Sequence, residues 1–155
     1  MNLILWRHAS AEDAPARDND DDLGRALTKR GRKQAVIMAA WLNARLPAEY
    51  ELLVSPALRT RQTAEALRAR FRIVPELAPG AAAADVLGAV NWPHSRGTVV
   101  AVGHQPTLGI VASLLLSGAQ NSWAIKKGAI WWIVNRDREE GAQSVLRAVV
   151  TPDLA

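Results

Sequence analysis

Four consecutive apolar residues near the start of the chain, Leu3-Ile4-Leu5-Trp6, stop abruptly at Arg7-His8 and give way to the small and polar residues Ala9-Ser10-Ala11. A strand without polar alternation is one buried on both faces, as in a sheet covered by helices. In open α/β sheets, ligands bind outside the carboxyl ends of the strands. An arginine and a histidine placed together at such an end make a candidate site. The arginine would hold an anion, and the histidine would act as a nucleophile or acid–base group.

A second fully apolar strand, residues 98–102, ends in the same manner at Gly103-His104, and Pro106 opens the helix after it. Between these two strands the pattern alternates. Thr28 caps a helix over residues 29–46, whose apolar positions Ala35, Ile37, Met38, Trp41, Leu42 and Leu46 follow helical spacing. Glu51–Val54 reads as a strand. Ser55-Pro56 reads as an N-cap followed by proline at the first helical position, with the helix running to Arg70. A short strand at Ile73-Val74, a loop over residues 75–80 and a helix over 84–91 complete the middle. Residues 129–134 and 144–150 form a hairpin around the charged turn 135–141. The sum is a single-domain three-layer α/β/α sandwich over residues 1–155, its central sheet mostly parallel with an antiparallel element near the C-terminus.

Bulk properties narrow the function. The chain contains no cysteine, which excludes disulfides and thiolate chemistry and fits a reducing, cytoplasmic setting. No segment approaches the ~20 apolar residues of a membrane span, so no membrane association is expected. The net charge of +4 is modest. The basic clusters Lys29-Arg30-Arg32-Lys33 and Arg59 to Arg72 carry no interleaved aromatic but Phe71, so they read as solvated helix faces and no nucleic-acid partner is expected. The run Asp18-Asn19-Asp20-Asp21-Asp22 superficially suggests a calcium loop. However, Leu23 stands where glycine is needed and Lys29 where a bidentate glutamate is needed, so the run reads as a solvated loop. No metal ligand set and no cofactor motif is evident, and a zinc site would need a third ligand beside His8 and His104.

The chemistry concentrates at three strand ends: Arg7-His8, Ser55-Pro56-Ala57-Leu58-Arg59 and Gly103-His104. Arg59 falls in the first turn of its helix, where the macrodipole favours anions, so its presence is mildly unfavourable unless an anion lies between it and the helix end. If the three strands are neighbours, Arg7, His8, Arg59 and His104 converge. His94 lies in a polar loop with no apolar strand before it and is set aside. The six tryptophans read as core, with Trp131-Trp132 alternating across one strand.

These pieces, taken in order, resemble the histidine phosphatase (phosphoglycerate-mutase-like) superfamily, and in particular its SixA-type phosphohistidine phosphatases. The matching stretches are LWRHASAE, RALTKRGRKQA, LLVSPALRTRQTAE, PELAP and VVAVGHQPTLG. The resemblance implies that His8 attacks phosphorus and is transiently phosphorylated. It also implies that Arg7 and Arg59 bind the phosphoryl oxygens and that His104 stabilises the transition state. Many relatives carry glycine where this chain has Ala9. Glu76 matches the region of the general acid in larger relatives, although its surrounding motif differs, and Glu12 and the Asp18-to-Asp22 run are alternatives. An imidazole leaving group has little need of an acid, and the chain lacks the insertions of sugar-phosphate enzymes. The expectation is therefore a metal-independent phosphatase with an open site, acting on phosphohistidine in a signalling or phosphotransfer protein. Alternatives on the same residues are a phosphatase of small esters or anhydrides and a non-catalytic phosphoprotein-binding module.

Overall fold

In the computed structural model, which describes residues 1–14, 19–136, 141 and 143–155, the apolar runs assemble into one six-stranded sheet. Its strands are β1 (Asn2–Arg7), β2 (Glu51–Val54), β3 (Arg72–Ile73), β4 (Thr98–Gly103), β5 (Ile130–Arg136) and β6 (Gln143–Val150), in the order β3-β2-β4-β1-β5-β6. The first four run parallel; β5 is antiparallel to β1 and β6 antiparallel to β5. This is the expected mixed sheet.

Alternate side chains of the central strands enter two separate cores. Leu3, Leu5, Val99, Ala101 and Ile133 pack on one face with α3 (Ala83–Ala89) and α4 (Thr107–Ser117). Ile4, Trp6, Val100, Val102, Ile130 and Trp132 pack on the other with α1 (Lys29–Asn43) and α2 (Leu58–Glu65). Apolar runs without polar alternation are therefore what a sheet sandwiched between helices requires. Trp131 and Trp132 divide between the two cores, and the Trp132 indole N–H donates to Asn2 Oδ1 at 2.9 Å.

Several boundaries differ from the sequence reading. α1 ends at Asn43 rather than residue 46. α2 begins at Leu58, with Ala57 as its N-cap, and ends at Glu65 instead of reaching Arg70. Ser55 is thus not the helix cap, although its hydroxyl accepts from the Ala57 amide at 3.3 Å. The chain turns sharply after α2, with Arg68 in the left-handed region at φ 54°, which brings Arg72 rather than Val74 into β3. The expected loop before α1 contains a 3₁₀ helix, Asn19–Gly24. Asp18 and residues 137–140 of the hairpin turn lie outside the described residues.

Two glycines make close packing possible. A Cβ on Gly31 would overlap the Ser10 carbonyl oxygen, so the first turn of α1 rests directly on the backbone that follows His8. A Cβ on Gly109 would overlap the Trp123 carbonyl in the same way. Gly88 in α3, by contrast, has nothing within 4 Å of a Cβ position. Gly31→Ala is expected to destabilise the fold despite its gain of about 1 kcal/mol in helix propensity, whereas Gly88→Ala is expected to stabilise by up to about that amount. Urea unfolding of the two variants checks this; a stabilised Gly31→Ala would show that α1 does not press on Ser10.

Candidate active site

Parallel pairing aligns the strand ends. Arg7 stands opposite Gly103 in the β1–β4 ladder, and Val54 opposite Val102 in the β2–β4 ladder. The next residues along, His8, His104 and Ser55, therefore leave the sheet together. The His8 and His104 rings lie with centroids 5.2 Å apart. His104 Nε2 and the Ser55 hydroxyl are 2.7 Å apart and share a hydrogen bond. Ser55 was read from sequence only as a helix cap. The signal it offered was a small hydroxyl residue ending a strand beside the one that delivers His104.

Each cation is aimed by its own contacts. Arg7 Nη1 donates to the Ile125 carbonyl at 2.6 Å. The Trp6 indole donates to the Gly128 carbonyl at 3.1 Å, and the Gly128 amide donates to the His8 carbonyl at 3.0 Å. The segment before β5 is thus strapped to the end of β1. Thr63, one turn beyond Arg59, accepts from the Ala9 amide at 3.1 Å and donates to the Arg59 carbonyl at 2.7 Å, joining α2 to the backbone after His8. Arg59 Nη1 and Nη2 donate to the Asp22 carbonyl at 2.6 Å and to Asp22 Oδ2 at 3.0 Å.

Asp22, part of the run read as solvated loop, thus reaches the site through Arg59. It also pairs with Arg25 at 2.9 Å. Burial opposes the charge on Asp22, but the Arg59 and Arg25 guanidiniums outweigh it and hold its pKa below the usual carboxylate value. The acidic composition of the run gave no hint of a partner 37 residues away in sequence. His8, Arg59 and His104 keep only 6%, 3% and 3% of their own surface exposed, whereas Arg7 beside them is half-buried and lines a surface cleft.

The histidines are held neutral. Burial drives the His8 pKa down to about 4, with the Arg59 and Arg7 charges adding to the effect and the Ala9 carbonyl opposing it. Burial, then Arg59 and His8, lower His104 to about 3. The tautomer of His8 is also fixed. Its Nδ1 lies 2.8 Å from the Ala9 carbonyl, which can only accept, so Nδ1 carries the proton and Nε2 keeps its lone pair. Three buried donors or acceptors around this pair, Arg7 Nε, Arg59 Nε and His104 Nδ1, have no partner among the described residues.

The remaining expected catalytic residue is Glu76. It sits in a 3₁₀ turn, Pro75–Leu77, after β3 and is exposed, with no hydrogen bond or ion pair among the described residues. Among the described residues no three His, Cys, Asp or Glu side chains gather as a metal site, and no helix is long and apolar enough to cross a membrane.

The sequence profile described as histidine phosphatase superfamily (branch 1) matches residues 3–82, just over half of the 155-residue chain. The chain belongs to that superfamily. It is 30% identical to the phosphohistidine phosphatase SixA of Escherichia coli over 128 residues, 76% of each chain. An uncharacterized protein of Picosynechococcus is 36% identical over 126 residues, 76% of this chain and 74% of that one. Among solved structures, the protein histidine phosphatase SixA complexed with tungstate superposes with a TM-score of 0.75 at 25% identity, covering 99% of this chain and 98% of the other. Membership also accounts for the second half of the chain, since β4, His104 and the C-terminal hairpin lie beyond the profile match but inside the structural superposition.

The histidines give this superfamily member a pH signature. Each is neutral when folded but titrates near 6.5 when unfolded, so the unfolded chain binds more protons below that value. The contribution to stability is complete above pH 6.5 and is lost as pH falls towards about 4 for His8 and about 3 for His104. The slope is about 1.4 kcal/mol per pH unit for each histidine. Urea unfolding at pH 7 and pH 5 is expected to show this loss, reduced in His8→Asn/His104→Gln. An equally steep loss in the double variant would assign it to other groups.

Proposed function

We propose that the protein is a metal-independent phosphatase that uses His8 as nucleophile and removes phosphoryl groups from phosphohistidine in a protein. The observation that carries the reading is the fixed tautomer of His8. With Nδ1–H committed to the Ala9 carbonyl, the Nε2 lone pair is available at neutral pH beside His104 and two guanidiniums. A phosphoryl group, with three acceptor oxygens, matches the unpartnered Arg7 Nε, Arg59 Nε and His104 Nδ1.

The steps follow from these groups. His8 Nε2 forms a bond to phosphorus as the bond from phosphorus to the leaving imidazole breaks, and that imidazole takes its electron pair and a proton from solvent or a nearby acid. Water then attacks the phosphorus of phospho-His8. Nε2 recovers its electron pair, and the water's proton passes to solvent as inorganic phosphate forms. Phosphoryl transfer asks mainly for alignment and for positive charge on the equatorial oxygens, which Arg7, Arg59 and a hydrogen bond from His104 would supply without a metal. Ser55 would keep the His104 ring oriented as a positioning residue.

The likeness to E. coli SixA supports phosphohistidine as substrate, and Glu76, exposed and bonded to no site group among the described residues, agrees with it. An alkoxide leaving group needs a general acid within hydrogen-bond reach, worth roughly 10²–10⁴-fold, whereas imidazole leaves readily. A phosphohistidine side chain is also long enough to reach groups that are themselves scarcely exposed.

Rapid quench with a ³²P-labelled phosphohistidine peptide is expected to trap label on His8, and His8→Ala is expected to lose turnover while keeping its unfolding transition. Near-normal activity of His8→Ala would remove the nucleophile assignment. Activity is expected to survive EDTA and desalting; restoration only by a divalent cation would overturn the metal-free mechanism. Glu76→Gln is expected to leave kcat/KM unchanged on the peptide and on an alkyl phosphate alike; a selective loss on the alkyl phosphate would make Glu76 the general acid. A wild-type preference for alkyl phosphates would move the protein to small-molecule chemistry.

A further inference from the structure

Beside the histidine pair, on the outer side of Arg7, lies a cleft of about 810 Å³ of which the chemistry above uses only Arg7. One wall is the exposed side of the first turns of α1, with Arg30, Lys33 and Ile37; the other is Lys126 and Lys127, just before β5. Arg7 and Ser10 form the end nearest His8. Five cations thus face one cleft against a single described carboxylate, Asp153. None of the five has a salt bridge among the described residues.

The arrangement works against stability. α1 has no acidic residue in its first turn, and Lys29, Arg30, Arg32 and Lys33 crowd the end where the helix dipole is positive. Like charges on both walls, Arg30 and Lys33 against Lys126 and Lys127, repel across the gap. Such a surface is relieved by a polyanion. The apolar character of the cleft decides which kind: Ile37 lines it and is exposed, as is its neighbour Val36, and Pro152 lines it as well. Phosphates have no use for those groups, whereas a protein surface that mixes carboxylates with aliphatic side chains matches both features.

We infer that this cleft is the docking surface for the protein that carries the phosphohistidine, and that it selects partners whose surface beside the phosphorylated side chain is acidic and partly apolar. The inference rests on the proposed function for what enters the catalytic pocket, but the binding itself is separable from the chemistry. Docking here presents the neighbouring side chain to His8 past Arg7, and the cations steer the encounter in a salt-dependent way.

Two measurements test it. In the first, fluorescein-labelled unphosphorylated peptides of mixed Glu and Leu, and matched peptides of mixed Gln and Leu, are titrated with the full chain. The acidic peptide is expected to bind at least tenfold tighter, with the difference shrinking as salt rises. It is also expected to weaken about tenfold in Arg30→Glu/Lys33→Glu and, independently, in Lys126→Glu/Lys127→Glu. In the second, the same pairs are expected to lower kcat/KM for a phosphohistidine peptide with acidic flanks about tenfold, while turnover of phosphoramidate is unchanged. Equal binding of the two peptides, or binding unmoved by both charge reversals, overturns the inference. Tighter binding of a short RNA or of tripolyphosphate at the same residues also overturns it and gives the cleft to phosphate backbones. Failure to hydrolyse any phosphohistidine substrate, with acidic-peptide binding intact, would remove the proposed substrate and leave the docking surface standing.

Discussion

β1, β4 and β2 run parallel and adjacent, and the ladders pair Arg7 with Gly103 and Val54 with Val102. Everything at the site depends on that register. A slip of one residue in β4 would exchange the core-facing sets of its alternate side chains and shift His104 along the strand direction by about 3.3 Å. The register is held from both faces, because Val100 and Val102 fill one core while Val99 and Ala101 fill the other. The His8–His104 pair and the Ser55 hydrogen bond are therefore products of core packing on residues that never touch the site.

Burial also sets the charge state. Two imidazoles in a pocket with Arg7 and Arg59 are forced to be neutral, and the pocket's positive charge resides on guanidiniums that cannot lose it. The neutral imidazoles and the fixed positive charge are thus separate groups whose charge states do not exchange with pH. Asp22 adds a counter-charge on the Nη edge of Arg59 and leaves Nε without a partner. The guanidinium is held in orientation by that contact.

Much of this was legible in the sequence, for physical reasons. The runs Leu3-Ile4-Leu5-Trp6 and Thr98 to Val102 announce strands covered on both faces, and the polar groups that terminate them sit at the sheet edge where ligands bind. Arg7, His8, Arg59 and His104 could be named because each breaks a local rule at a strand or helix end. Ser55 and Asp22 could not. Ser55 obeys a local rule, that of the helix cap, and so its actual partner, His104, was hidden. Asp22 sits in an acidic stretch that looks like any solvated loop, and its link to Arg59 exists only in three dimensions. The early end of α2 had a similar cause: Glu65 to Arg70 carries good helix formers, yet the chain must turn at Arg68 to return β3 to the edge of the sheet.

The contact of Gly31 with Ser10 fixes the inner side of α1 and leaves its outer side free. No side chain larger than hydrogen fits between the helix and the backbone after His8. Arg30 and Lys33, one residue before Gly31 and two after it, project from the same helix into the cleft and are exposed. Substitution on that outer side can therefore proceed without moving Ser10 or His8. The charge carried along the outer side of α1 and the geometry of the backbone after His8 are thereby separable, and Gly31 is the point at which the two meet.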